Sequence, residues 1–138
     1  MVTIHIRPDL IPRSGMSARE WEHLAADLLE FFGQVDASVE LRVTGDREIA
    51  DLNQRFLGCP GPTNVLSFPV ADSEGQAGGG SVALSLDALA RECLLYGQPL
   101  REHLVRLLAH AFLHLSGLVH GPEMESLTEQ AVETLGTG

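Results

Sequence analysis

The stretch that decides the architecture of this chain reads His110-Ala-Phe-Leu-His114-Leu-Ser-Gly117-Leu-Val-His120. On a helix, a spacing of four residues places the His110 and His114 imidazoles on one face, about one turn apart. Gly117 suits the left-handed conformation that ends a helix, so the chain can turn back and bring His120 to the same place. Three neutral imidazoles with a fourth position open are typical of a catalytic zinc centre, because structural zinc sites usually fill all four positions and use thiolates.

The helix that carries this pair is predicted to begin at Pro99, since a first helical turn tolerates proline. Apolar residues recur along it at helical spacing and predict a core-facing stripe. The stripe comprises Leu100, Leu104, Leu107, Leu108, Ala111 and Leu115. His103 and Arg106 fall on the neighbouring stripe with the two histidines. The pattern therefore predicts a metal-binding helix near the C-terminus that packs on the protein core.

The rest of the chain alternates between strand and helix patterns. Alternating apolar residues predict strands over residues 1–6, 37–43, 63–69 and 81–85, and helical spacing with capping residues predicts helices over 17–33, 46–56, 85–96 and 122–135. Glycine and proline predict a loop over 58–62, and the small residues of 72–80 predict a mobile connection. This order predicts an α+β fold in a single domain over residues 1–138, with a mixed four-stranded sheet packed with about five helices.

Composition narrows the class of protein. The formal net charge of −10 argues against a broad basic surface that grips nucleic acid, although a local basic groove remains compatible with it. The two cysteines, Cys59 and Cys93, are far apart and form no CxxC motif, which favours a reducing compartment. No leader pattern and no apolar run of about eighteen residues is present, so we expect a soluble cytoplasmic protein without a membrane segment.

Two motifs occur in order along the chain. One is the stretch 110–120, with His110, Leu113, His114, Leu115, Gly117 and His120, and the other is Thr63-Asn-Val-Leu-Ser-Phe-Pro69, preceded by Leu52-Asn53. They resemble the H-G-x-L-H-L-x-G-Y-D-H and T-[DN]-V-L-S-F-P motifs of the YbeY family, which comprises bacterial metallo-endoribonucleases and rRNA maturation factors. The resemblance implies that His110, His114 and His120 bind zinc.

The resemblance also implies a function and a partner. The expected enzyme cleaves single-stranded RNA in rRNA processing and maturation, and it acts in ribosome biogenesis or quality control. The expected partners are rRNA and the ribosomal small subunit, and DNA is not expected. We expect one zinc ion per chain, and nickel can replace it in recombinant material.

Four departures from the family pattern affect five positions. They are Ala111 in place of glycine, Leu118-Val119 in place of Tyr-Asp, Ser81 in place of aspartate, and Leu57 in place of arginine. The departure at Leu57 concerns the chemistry, because phosphodiester hydrolysis gathers negative charge that needs a cation beyond the metal. We assign that role to Arg55 as a catalytic residue or to Arg106 as a substrate-binding residue.

Two other functions stay open at this point. Zinc metallopeptidases carry H-E-x-x-H on a helix with the glutamate as general base, but Ala111 occupies the glutamate position here. The other function is a non-catalytic ribosome-assembly factor with structural zinc, which the four departures favour. A three-histidine site with an open position speaks against a purely structural ion.

Overall fold

The computed structural model describes residues 1–70 and 79–137. Its strands are β1 (Val2–Ile6), β2 (Val39–Thr44), β3 (Val65–Val70) and β4 (Gly79–Ser85). Its helices are α1 (Ile11–Ser14), α2 (Ala18–Phe31), α3 (Asp46–Leu57), α4 (Leu86–Tyr96), α5 (Leu100–Leu115) and α6 (Pro122–Leu135), with a 3-10 turn at Pro8–Leu10. The predicted α+β class is confirmed, and the short helix α1 is added to the five predicted helices.

The four strands form one mixed sheet in the order β1-β2-β4-β3. Strand β1 runs parallel to β2, and β2 runs parallel to β4. Parallel neighbours require a crossover connection, which α2 provides between β1 and β2. Strand β3 pairs antiparallel with β4. The motif over residues 63–69 therefore lies at one edge of the sheet.

The main core lies between one face of the sheet and the helices α2, α5 and α6. Ten of the sixteen residues of α5 are buried, because other helices and two strands surround this helix. Leu100 is an exception, since half of its side chain is exposed, and its assignment to the core stripe was wrong. Helical period alone places Leu100 on the stripe, but burial begins about one turn later, at His103 and Leu104.

Helix α3 packs on the opposite face of the sheet. Its Ile49 forms a small second core with Leu66 of β3 and Ala83 of β4, and Leu52 and Phe68 pack against that core. Much of this face carries no further helix among the residues described. It borders a cleft of about 620 Å³ that Arg55 helps to line.

Two local features tie the helices to the fold as expected. The predicted capping box is present, because the Ser17 side chain accepts from the Glu20 backbone N–H and the Glu20 side chain accepts from the Ser17 N–H. Trp21 of α2 is fully buried, and its indole Nε1 donates to Ser14 Oγ over 3.1 Å.

None of the helices described is both long and apolar enough to cross a membrane.

The predicted mobile connection over 72–80 lies mostly outside the described residues. Gly79 and Gly80 belong to β4, so the prediction was wrong for these two. Gly80 has φ +146°, and a Cβ there would lie 2.3 Å from the backbone oxygen of Phe68. Glycine at this position thus permits a close approach between two paired strands.

Candidate metal centre

The end of α5 brings three histidine rings together. His110 and His114 have ring centroids 4.8 Å apart, and the His120 ring lies 4.7 and 4.9 Å from them respectively. Their ligand nitrogens all lie within 4.8 Å of one another. The predicted convergence of these side chains, called here the histidine triad, is confirmed as a geometric fact.

A helix-ending turn positions the third ring. The Gly117 N–H donates to the His114 carbonyl over 3.0 Å, and the Leu118 N–H donates to the Leu113 carbonyl over 3.2 Å. This pair of bonds forms a Schellman motif, which needs a left-handed residue after the helix cap. Gly117 supplies it with φ +93°. His120 is thereby placed beside the helix end rather than along its continuation.

The environment of His110 favours a neutral imidazole. Burial lowers the pKa of His110, and the neighbouring His114 and His120 lower it further by charge repulsion. His110 and His114 are half-buried, whereas His120 is exposed. The negative end of the α5 dipole lies at the same place, which favours a bound cation. Neutral rings keep the lone pairs that a metal needs.

The donor set fits a divalent metal that prefers nitrogen ligands. Zinc–nitrogen bonds of about 2.0–2.1 Å in tetrahedral geometry need nitrogens about 3.3 Å apart, so modest side-chain rotation closes the triangle. Within residues 1–70 and 79–137, no carboxylate or thiol joins the cluster. No hydrogen bond from another described residue engages the three rings. The described part of the chain therefore offers three ligands to a metal ion and no fourth.

Arg55 lies on α3 without a hydrogen bond or ion pair to a described residue, and it is exposed at the rim of the cleft on that face. Leu57 is the last residue of α3 and is 54% exposed. Side chains two positions apart on a helix point in directions that differ by about 200°. Arg55 therefore does not occupy the place of an arginine at position 57, and its catalytic role stays a prediction.

Arg106 lies four residues before His110 on α5, and its guanidinium is already engaged. Its Nε and Nη2 donate to the Glu129 carboxylate over 2.9 and 3.1 Å, and its Nη1 donates to Gln98 over 3.1 Å. The hydrogen bonds to Glu129 raise the pKa of Arg106 above its ordinary value. A substrate-binding role stays a prediction and requires a phosphate to replace the Glu129 carboxylate.

One cluster near the triad was not expected from the sequence. His103 is buried, and its Nε2 lies 2.8 Å from the Glu92 carboxylate. The only signal in the sequence was that His103 shares a stripe with the triad residues of α5. Its partner lies on another helix, and no spacing rule links the two.

The fold and the triad define a class of protein. It is a mixed-sheet domain whose central buried helix ends in a cluster of three histidines that could hold a metal ion, without the glutamate of the H-E-x-x-H peptidases. Residues 12–136 match the family model described as Endoribonuclease YbeY. The chain belongs to the YbeY family. This membership confirms the predicted enzyme class, a hydrolytic endoribonuclease.

Two curated relatives and one solved structure illustrate the similarity. The Endoribonuclease YbeY of Oleidesulfovibrio alaskensis is 37% identical, and the alignment covers 96% of this chain and 91% of that protein. The Endoribonuclease YbeY of Nitratidesulfovibrio vulgaris is 45% identical over 69% of this chain and 70% of its own length. The solution structure of TM1509 from Thermotoga maritima matches with a TM-score of 0.64 at 22% identity, covering 96% of this chain and 87% of that one. The last match supports the fold alone.

Proposed function

We propose that this chain is a zinc-dependent endoribonuclease that cleaves single-stranded RNA during rRNA processing and maturation. Its place in the cell is the cytoplasm, and its partners are rRNA and the ribosomal small subunit. The observation that carries the proposal is the histidine triad at the end of α5, in a chain of the YbeY family. Three imidazoles with an open position suit catalysis better than structural support.

The residues of the chain have distinct roles in this function. His110, His114 and His120 would hold the ion, with the Gly117 turn fixing the third ring. When bound, zinc supplies a Lewis acid that acidifies water and polarises a phosphoryl oxygen. Burial and the neighbouring histidines lower the pKa of His110, which favours the neutral ring that binds a metal.

The chain must also supply a cation for the negative charge that develops on the phosphoryl group. Arg55 is the less engaged of the two predicted arginines, because no described residue accepts a hydrogen bond from its guanidinium. The cleft that it lines includes none of the triad residues. Arg106 would first have to leave Glu129. We therefore assign the catalytic cation to Arg55 and a secondary, substrate-binding role to Arg106.

The net charge supports delivery of the substrate by a larger assembly. RNA affinity rests largely on phosphate contacts by lysine and arginine, and this chain carries 9 such residues against 19 aspartates and glutamates. Free RNA should therefore bind weakly. A ribosomal particle that presents single-stranded rRNA would remove the need for tight capture from solution.

Metal analysis and an RNA cleavage assay on one preparation test the proposal. We expect about one zinc per chain, cleavage of a labelled single-stranded oligonucleotide, and loss of cleavage on chelation with recovery on zinc addition. Replacing each histidine of the triad by alanine should remove both metal and cleavage. His23→Ala is the matched control, because His23 is an exposed histidine on α2, and it should leave both unchanged.

The same experiment separates the second candidate function. Leu57 is the observation that favours a non-catalytic assembly factor, because it removes a cation from the expected position. Zinc at one per chain without any metal-dependent cleavage would support that function and contradict the nuclease. Undiminished zinc in any alanine variant of the triad would remove that residue from the site.

A further inference from the structure

A buried polar contact joins α5 to α4. His103 is only 6% exposed, and its Nε2 lies 2.8 Å from Glu92 Oε1. A carboxylate can only accept, so Nε2 carries the hydrogen and donates it. The other ring nitrogen, Nδ1, is buried without a partner among the described residues. Among the described residues, Glu92 is therefore the one hydrogen-bond partner of the ring, whose edge-on neighbour is the Tyr96 ring, with centroids 6.2 Å apart.

Glu92 is held in turn by the motif strand. The Asn64 side-chain amide lies 3.2 Å from both Glu92 oxygens and donates to them. Asn64 Oδ1 accepts from the Val65 N–H over 2.7 Å, and the Asn64 carbonyl accepts from the Ser85 N–H over 2.9 Å. Ser85 caps α4, the helix that carries Glu92. The start of β3, α4 and α5 are thus linked through one carboxylate.

The position of His103 on α5 matters for the triad. His110 is seven residues further on and His114 eleven, so at about 100° per residue they point about 20° to either side of His103. At about 1.5 Å per residue they lie about 10.5 and 16.5 Å along the axis. Any rotation of the helix at His103 therefore changes the direction of both metal-binding side chains relative to His120.

Apolar burial has no directional preference, whereas a hydrogen bond fixes the direction of its donor and acceptor. Across the described residues, the other side-chain hydrogen bonds from α5 to another element go to α6 or to the adjoining Gln98. The contact between His103 and Glu92 is the one that links α5 to α4 and the sheet. It supplies directional restraint on the side of the core where the histidine stripe begins.

We propose that Asn64, Glu92 and His103 form a positioning network that sets the rotation of α5 and thereby preorganises His110 and His114 for metal. The network touches neither metal nor substrate. The inference rests on the metal centre of the proposed function, and it assigns Asn64 of the second motif a role in holding that centre.

A carboxylate swap tests this network. In Asn64→Asp two carboxylates face each other, and in Glu92→Gln two amide NH2 groups face each other. The double variant Asn64→Asp/Glu92→Gln restores the link, because the amide now at position 92 donates to the carboxylate now at position 64 and still accepts from His103. Thr44→Val is the matched control, since it removes a buried hydrogen bond of 3.0 Å to the Leu84 carbonyl without touching α5.

The readouts are zinc affinity of the folded chain by chelator competition and the absorption spectrum of the cobalt-loaded chain. Each single variant should bind zinc about tenfold more weakly and show an altered cobalt spectrum, since loss of a hydrogen bond to a charged group commonly costs at least the free energy of one factor of ten. The double variant should return to within about twofold of the parent in affinity. Thr44→Val should lower the melting temperature while leaving affinity and spectrum unchanged.

The outcomes distinguish the network from the metal centre. If the parent binds zinc and both single variants bind it with unchanged affinity, the network is refuted and the proposed function stands. A double variant whose loss of affinity equals the sum of the two single losses would lead to the same conclusion. A parent that binds no zinc would overturn the metal centre and the network together. If a single variant fails to fold, the double variant must fold, and its failure to do so would also refute the network.

Discussion

Replacing Leu57 by arginine is expected to speed cleavage of single-stranded RNA by about tenfold while leaving zinc content unchanged. Leu57 is the last residue of α3, and its side chain is 54% exposed, so a longer polar side chain fits without displacing the core. A cation there also faces the negative end of the helix dipole. The substitution should therefore leave the free energy of unfolding unchanged or slightly raised.

The magnitude follows from the exposure of this position. Opposite unit charges about 4 Å apart attract by about 1 kcal/mol in water and about 4 kcal/mol at an effective dielectric constant of about 20. Because the side chain at position 57 is half in solvent, its attraction to the phosphoryl charge should lie nearer the value in water, at about 1.5 kcal/mol. That free energy corresponds to roughly tenfold in rate. This is below the factor of about 100–1000 that a fully enclosed charge-stabilising donor contributes.

The assay is single-turnover cleavage of a labelled oligonucleotide by the zinc-loaded chain. Leu57→Gln is the matched control, because it adds polarity and length without charge and should give no gain. Arg55→Ala should slow the parent chain if Arg55 is the catalytic cation. A Leu57→Arg chain no faster than Leu57→Gln would refute the reasoning, and an Arg55→Ala chain as fast as the parent would show that neither position meets the phosphate.

Three further predictions concern metal retention and stability. Lowering the pH from about 7.5 to about 5.5 should release zinc as protons compete for the imidazoles, and melting temperatures with and without zinc should converge; a persisting difference would contradict it. Ser14→Ala should lower the free energy of unfolding by about 1–3 kcal/mol in urea titrations, because the buried Trp21 Nε1–H loses its acceptor. The hydrogen bond from Arg91 lowers the pKa of Asp46 in the folded chain below its ordinary value of 3.8. The Asp46 carboxylate therefore stabilises the fold above about pH 3.8, and this stabilisation is lost as the pH falls through the pKa of the folded state. Stability should decline below about pH 4, and Arg91→Met should weaken that decline; identical acid titrations of the two chains would refute this.

Local spacing determined much of the site before any fold was known. The helical repeat alone predicts that His110 and His114, four residues apart, share one face. The conformational preference of glycine alone predicts that the helix ends at Gly117. The structure places their rings and that of His120 together as expected. The same kind of local pattern predicted the capping box at Ser17, the start of α4 and the bounds of α6.

What the sequence by itself could not decide involves residues far apart in the chain. The engagement of Arg106 with Glu129 depends on how α6 packs on α5, and the separate directions of Arg55 and Leu57 matter only once α3 lies on the sheet. These contacts depend on packing between elements, and the period of a single helix carries no information about its neighbours.

The link from His103 through Glu92 to Asn64 shows the same division. Helical period placed His103 on the stripe that leads to the triad, because that period is a property of the local backbone. Its burial against Glu92, and the amide that holds Glu92 in place, arise only where α4, α5 and the start of β3 meet. Tertiary structure decided this contact, because an unpaired buried polar group is costly and only the assembled core provides its partners.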